Sequence, residues 1–100
     1  MKVYGTPLCI DCRNFVAICQ NRGIEIEYVN ITESTKTLKE YLVLRDTHPA
    51  FEPKRGLEKI GIPFIMLGDK YTFNVDEAFS WIGQEPVREE EIIEKRPEEA

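Results

Sequence analysis

Four segments of the chain have the apolar and polar pattern of β-strands. Residues 24–29 alternate between apolar and polar side chains, which is typical of a strand with one buried face. Residues 2–4 and 62–67 are short, mainly apolar runs, and a turn at 68–70 joins the second run to a further strand at 71–73. The last two strands are therefore expected to form an antiparallel hairpin.

Three other segments have helical spacing. Apolar residues recur at that spacing over residues 12–20. They do so again in the segment that follows a side-chain cap at Thr32 or Ser34, and in the segment that follows a cap at Asn74 or Asp76. The apolar positions are Phe15, Val16, Ile18, Cys19, Leu38, Tyr41, Leu42, Leu44, Ala78, Phe79, Trp81 and Ile82. We expect the apolar face of each helix to pack in the core.

Residues 45–61 have no simple pattern of apolar and polar positions. Pro49 and Pro53 exclude a long helix, because proline lacks the N–H that the helix interior needs. Residues 57–60 are expected to form one helical turn before Gly61.

The predicted elements follow one another as β-α-β-α-β-β-α. The first half is a βαβ unit with parallel strands and a right-handed crossover, and the second half adds a hairpin and a closing helix. This order predicts an α/β domain over residues 1–84, with a four-stranded mixed sheet flanked by helices. Residues 85–100 are mainly charged and are expected to form a tail that is partly helical or disordered.

Length and charge limit the possible functions. A chain of 100 residues fits one domain, and its net charge of −5 opposes binding to nucleic acid. No run approaches the roughly 20 apolar residues of a membrane span. The first residues enter a strand without an apolar signal region, so we expect a cytoplasmic location. We also expect a monomer without nucleic-acid or membrane partners.

Cys9 and Cys12 are the most informative pair of residues in the chain. They lie where the first helix begins, so the unpaired N–H groups and the helix dipole favour a thiolate at Cys9. Cys12 lies one turn further on the same face, close enough to form a disulfide with Cys9. This spacing predicts dithiol–disulfide exchange, and two cysteines that serve only in packing are the alternative.

The remaining candidates have simpler interpretations. Cys19 is expected in the core, and His48 is expected to be a turn residue. A metal site would need both of them beside the cysteine pair, or a second subunit, and no metal is expected. A basic group formed by Arg45, Lys54, Arg55 and Lys59 either binds a carboxylate or belongs to a solvated loop.

Three features together resemble the thioredoxin fold in its small glutaredoxin form, over residues 2–83. They are the first strand, the run Thr6-Pro7-Leu8-Cys9-Ile10-Asp11-Cys12 that opens a helix, and Ile62-Pro63 at the start of a later strand. The resemblance implies a thioredoxin-like fold with Cys9 as the nucleophile and Cys12 as the resolving cysteine.

The resemblance also implies a set of residues that bind substrate or glutathione. Pro63 would be in the cis form and lie against the cysteine pair, and the Ile62 backbone would pair with a bound thiol peptide. Asp76 matches the acidic residue that caps the last helix and contacts glutathione, and Pro7 precedes the cysteine motif.

The chain departs from the glutaredoxin pattern at two positions. Ile10-Asp11 stands between the cysteines in place of Pro-Tyr, and the Asp11 charge opposes thiolate formation at Cys9. Phe73-Asn74 replaces a double glycine, which fills the place where the glutathione backbone would approach.

We therefore predict a glutaredoxin-like thiol–disulfide oxidoreductase that reduces protein or small-molecule disulfides. Glutathione is the expected reductant, and a thioredoxin-reductase-type donor is the alternative. Two other functions remain open. One is a non-catalytic thioredoxin-fold module that binds a peptide or a glutathione-ligated iron–sulfur cluster. The other is a scaffold whose active site is no longer used.

Overall fold

A computed structural model describes residues 1–95 of the chain, so the end of the predicted tail, residues 96–100, lies outside the described residues. The elements in order are β1 (Lys2–Gly5), α1 (Ile10–Arg22), β2 (Glu27–Asn30), α2 (Thr35–Thr47), a 3-10 helix (Pro49–Lys54), β3 (Phe64–Leu67), β4 (Lys70–Thr72), α3 (Val75–Trp81) and a 3-10 turn (Glu89–Glu91). None of the helices within residues 1–95 could span a lipid bilayer.

The strands form one mixed sheet in the order β2-β1-β3-β4. β1 is parallel to β2, with Tyr4 opposite Val29, and antiparallel to β3, with Val3 opposite Ile65. β3 and β4 form an antiparallel hairpin. The prediction of an α/β fold with a four-stranded mixed sheet flanked by helices is confirmed.

The sheet separates two clusters of buried side chains. Neighbouring residues of a strand point to opposite faces, so Val3 lies in one cluster and Tyr4 in the other. The first cluster joins the sheet to α1 and α3, and its members are Val3, Phe15, Ile18, Cys19, Ile65, Ala78 and Phe79. The second joins the sheet to α2 and the Pro49–Lys54 helix, and its members are Tyr4, Ile31, Tyr41, Phe51 and Phe64.

Two of the helix caps follow from short polar side chains. Ser34 caps α2 by accepting a hydrogen bond of 3.2 Å from the Thr37 N–H, and Asn74 caps α3 by accepting one of 3.0 Å from the Glu77 N–H. The expectation that Asp76 caps the last helix is wrong. Asp76 is already the second residue of α3, inside the helix that Asn74 begins.

The helical turn expected at 57–60 does not form, and a 3-10 helix at Pro49–Lys54 takes its place. Pro49 lies at the start of that helix, where a missing N–H is tolerated, and Phe51 is fully buried. Side chains from α2 instead bind backbone carbonyl groups at the end of this segment. Tyr41 donates to the carbonyls of Ile60 and Gly61, and Arg45 donates to that of Lys59.

Two strands are shorter than their apolar patterns predict. β2 begins at Glu27 rather than at Ile24, whose N–H donates to the Cys19 carbonyl at the end of α1. β3 begins at Phe64, directly after a proline that has no N–H for the sheet.

Residues 85–95 of the predicted tail contact α1 and α3. Arg22 of α1 donates 2.8 and 2.6 Å hydrogen bonds to the two carboxylate oxygens of Glu91. Its guanidinium also lies 4.7 Å from the centre of the Phe79 ring. Arg13 binds Glu94 in the same two-pronged way. Residues 91–94 therefore run back along α1, from Arg22 near its end to Arg13 near its beginning.

Candidate functional site

Cys9 occupies the N-cap position of α1, directly after the loop that leaves β1. Its N–H donates to the Thr6 carbonyl at 3.1 Å, and its own carbonyl accepts from the Arg13 N–H at 3.0 Å. These bonds fix its backbone at the entrance of the helix, and its side chain is half-buried. The expected position of Cys9, at the beginning of a helix, is confirmed.

Cys12 lies one turn further along α1 and is fully buried. Burial raises the pKa of the Cys12 thiol to about 12, and its contact with Cys9 and the charge of Asp11 act in the same direction. A backbone hydrogen bond from Thr6 acts in the opposite direction. Cys12 is therefore a protonated thiol at neutral pH, next to the half-exposed Cys9.

Gly5 provides the space for the Cys12 sulfur. A Cβ atom at position 5 would lie 2.9 Å from Cys12 Sγ and 2.9 Å from the Tyr28 hydroxyl oxygen. The Tyr28 hydroxyl therefore belongs to the surroundings of Cys12. Burial raises the pKa of Tyr28 to about 12, with smaller contributions from the charges of Cys12 and Cys9.

Thr6 supports the loop that carries Cys9. Its buried hydroxyl shares a 2.7 Å hydrogen bond with the Thr32 hydroxyl and accepts one of 3.2 Å from the Leu8 N–H. The sequence analysis named Thr6 only within the run that opens the helix, and it assigned neither Tyr28 nor Arg13 to the site. The distances in sequence explain this, because Thr6 and Thr32 are 26 positions apart.

A groove of about 700 Å³ lies beside Cys9. Its lining residues are Cys9, Asp11, Lys54, Glu58, Lys59, Ile60, Gly61, Ile62 and Phe73. The groove thus brings the half-exposed sulfur together with Ile62, one of the predicted binding residues. Gly61, in the left-handed region with a φ of 84°, allows the chain to turn here.

The predicted basic group divides into two pairs with different roles. Lys54 and Lys59 line the groove beside Cys9. Arg45 and Arg55 instead bind backbone carbonyls. Arg55 donates to Arg45 at 2.6 Å and to His48 at 2.7 Å. The arginines hold the segment in place, whereas the lysines line the groove.

Phe73 forms an aromatic wall of the groove. Its ring centre lies 5.2 Å from those of both Phe51 and Phe64, and the Lys54 ammonium lies 4.4 Å from it. The place that a double glycine would leave open is therefore occupied by a packed ring.

Pro63 is buried, and the peptide bond that joins it to Ile62 is cis, as expected from the resemblance. Pro63 lines a second, smaller cavity of about 240 Å³. Asp11, Ile62 and Phe73 line both cavities, so the second cavity adjoins the groove that contains Cys9. Val87 and Ile92, from the residues after α3, also line this second cavity.

The other two predicted binding residues make contacts within the protein. The Asp76 carboxylate accepts a 2.8 Å hydrogen bond from the Val87 N–H. The Pro7 carbonyl accepts one of 2.7 Å from the Arg13 guanidinium. Cys9 and Ile62 thus share one groove with Pro63 beside it, whereas Asp76 is engaged by the segment after α3.

Cys19 and His48 lie apart from the cysteine pair. Cys19 is buried in the core against α3 and the sheet, and burial raises its pKa to about 11. His48 accepts a 3.1 Å hydrogen bond from the Ala50 N–H through Nδ1, and its ring packs edge-on against Tyr71. Among residues 1–95, no three His, Cys, Asp or Glu side chains gather in a way that could hold a metal ion.

The site contains two thiols that differ in exposure and lie beside a groove. One sulfur is accessible and lies at a helix N-terminus, and the other is buried, protonated and in contact with the first. No family model, no curated protein and no solved structure matches the chain.

Proposed function

We propose that the chain is a glutaredoxin-like thiol–disulfide oxidoreductase with a thioredoxin-like fold. The observation that carries the proposal is the unequal cysteine pair. Cys9 is half-exposed at a helix N-cap beside a groove, and Cys12, one turn further along α1, is buried and protonated. Exchange needs one accessible thiolate as nucleophile and a second thiol within reach of it.

The architecture supports the thioredoxin-like part of the proposal. The sheet has one parallel pair, β1 with β2, followed by two antiparallel pairs. The cysteine pair follows β1, and the cis Ile62-Pro63 bond precedes β3. Adjacent strands bring these two positions to neighbouring cavities, which is what the resemblance in sequence implies.

In the first step, the Cys9 thiolate attacks one sulfur of a substrate disulfide. A bond forms between Cys9 and that sulfur while the substrate S–S bond breaks, and the leaving thiolate takes a proton from water. The groove beside Cys9 would receive the substrate, with Ile62 on one side and Phe73 on the other.

In the second step, Cys12 loses its proton and attacks the Cys9 sulfur. The Cys9–Cys12 disulfide forms, the mixed disulfide breaks, and the second substrate thiol leaves with a proton. The pair has then lost two electrons and the substrate has gained them. The high pKa of Cys12 keeps it from competing as the first nucleophile.

Two features of the groove bear on the electron donor. Lys54 and Lys59 offer positive charge to the carboxylates of glutathione, whereas the Phe73 ring narrows the space for its backbone. We propose glutathione as the reductant, with a thioredoxin-reductase-type donor as the alternative. Protein and small-molecule disulfides are both substrates that this chemistry can reduce.

A pair of coupled assays tests the proposal and identifies the donor. The protein should reduce a small disulfide such as bis(2-hydroxyethyl) disulfide with glutathione and glutathione reductase, or with thioredoxin reductase. Cys9→Ser should reduce turnover by at least about a hundredfold, because the nucleophile is lost.

Cys19→Ala is the matched control for that variant, because it removes a buried thiol outside the site and should retain turnover. Absence of reduction with both donors, in a folded protein with an oxidisable cysteine pair, would reject the enzyme. A non-catalytic binding module would then be the better assignment.

A further inference from the structure

The segment after α3 forms hydrogen bonds and an ion pair with the beginning of α1, next to the cysteine pair. Arg13 donates to both carboxylate oxygens of Glu94, from Nε at 2.7 Å and from Nη2 at 2.8 Å. Asn14 adds contacts to the backbone of the same residue, since its amide donates to the Glu94 carbonyl at 2.9 Å and accepts from the Glu94 N–H at 3.0 Å. Glu94 is therefore held by two consecutive side chains of the helix.

The same Arg13 guanidinium contacts the loop that carries Cys9. Its Nη1 donates a 2.7 Å hydrogen bond to the carbonyl of Pro7, two positions before Cys9. The Cys9 carbonyl, in turn, accepts the Arg13 N–H. One cation thus lies between the nucleophile's loop and the carboxylate of Glu94.

Electrostatics couples these groups. The Glu94 carboxylate raises the pKa of Arg13, and the charges of Cys9 and Cys12 contribute in the same direction. A cation near Cys9 stabilises its thiolate, and an anion paired with that cation cancels much of the effect. The charged groups that line the groove beside Cys9 are Asp11, Lys54, Glu58 and Lys59, and a substitution at Glu94 leaves all four side chains in the sequence.

We propose that Glu94 restrains the reactivity of Cys9 by pairing with Arg13, so that release of residues 92–95 from α1 accelerates the attack of Cys9 on disulfides. Glu94 and Arg13 are positioning residues in this scheme, because both act through the sulfur of Cys9. The proposal deepens the proposed function, on which its consequence for disulfide exchange rests.

Alkylation of Cys9 by iodoacetamide at pH 7 measures the effect without needing a disulfide substrate. The rate is followed by mass spectrometry of the peptide that contains Cys9. Glu94→Gln should increase the rate by roughly two- to fivefold, the range that exposed ion-pair energies allow. Arg13→Gln should decrease it, since Glu94 then stands near the loop without its cation. Opposite signs are the signature of charge, because a purely structural role would move both variants in the same direction.

Two controls accompany these variants. Glu91→Gln removes the ion pair that joins the same segment to Arg22, near the far end of α1, and should leave the alkylation rate unchanged. The increase in Glu94→Gln should also shrink in about 1 M salt, where the Debye length falls to about 3 Å.

Equal rates in the wild type and Glu94→Gln, or shifts of the same sign in Glu94→Gln and Arg13→Gln, would overturn the proposal. Alkylation also separates this proposal from the proposed function. A charge effect on Cys9 without disulfide turnover would support the coupling and reject the enzyme. Turnover with no charge effect would do the reverse.

Discussion

At the scale of single residues, the burial of Cys12 depends on the absence of a side chain at Gly5. Gly5 is buried at the end of β1, and Cys12 Sγ occupies the space that a side chain there would take. The close approach lets Cys12 sit fully inside the protein, and that burial raises its pKa to about 12. The difference in burial between the two thiols thus depends on Gly5, a residue outside the cysteine motif.

Gly5→Ala should destabilise the protein by about 1–3 kcal/mol, the usual cost of overpacking a tight interior. The added Cβ would lie 2.9 Å from both Cys12 Sγ and the Tyr28 hydroxyl. Urea unfolding followed by circular dichroism measures the loss. The same substitution in a Cys12→Ala background should cost less, because one of the two close contacts is gone. An equal cost in both backgrounds would contradict this account of the site.

Residues that act through local structure could be predicted from the sequence. The position of Cys9 at a helix start follows from the strand, turn and helix pattern around it, and Ile62-Pro63 stands out as a proline beside an apolar run. Gly5, Thr6 and Arg13 could not be assigned to the site. Their roles come from contacts with distant parts of the chain, which periodicity does not reveal.

At the scale of elements, the largest difference from expectation lies after α3. A run of charged residues predicts solvation when its partners are unknown, yet Arg22 pairs with Glu91 across 69 positions, and each of these side chains is only about one-tenth exposed. Arg22 also donates to the carbonyls of Glu85 and Pro86. Contacts between distant positions also could not be predicted at residues 57–60, where Tyr41 and Arg45 of α2 bind backbone carbonyls.

The Arg22–Glu91 pair should make stability depend on pH in the acid range. The Arg22 guanidinium, helped by a backbone hydrogen bond from Arg88, lowers the pKa of Glu91 to about 2. A carboxyl whose pKa is depressed in the folded state stabilises the protein above its ordinary value near about 4.3. The contribution is lost as pH falls from about 5 to about 2.

Urea midpoints measured between pH 7 and pH 2 test this dependence. Glu91→Gln should lower the midpoint at pH 7 and flatten its fall below pH 5, because the titrating group is absent. Glu90→Gln is the matched control. Glu90 is a neighbouring, exposed glutamate paired with Arg88, and its loss should change the curve little. Parallel curves for Glu91→Gln and the wild type would show that the pair does not link stability to pH.

At the scale of the whole molecule, the site lies where three separate parts of the chain meet. The β1–α1 loop supplies Cys9, the β3 entrance supplies Ile62 and Pro63, and the segment before it supplies Lys54 and Lys59. The resemblance to glutaredoxins implied that the first two lie close together, and the pairing of β1 with β3 brings them there. The position of the lysines beside the groove could not be predicted, because it depends on the path of residues 48–61, which have no periodic pattern of apolar residues.

The central claim is that Cys9 attacks a disulfide and Cys12 resolves the product. Its most direct test is intact-protein mass spectrometry of Cys12→Ser after brief exposure to oxidised glutathione. We predict a stable adduct of one glutathione on Cys9, whereas the wild type passes on to an internal Cys9–Cys12 disulfide and loses the adduct. No adduct on Cys9 in Cys12→Ser, or a lasting adduct on the wild type, would contradict the account.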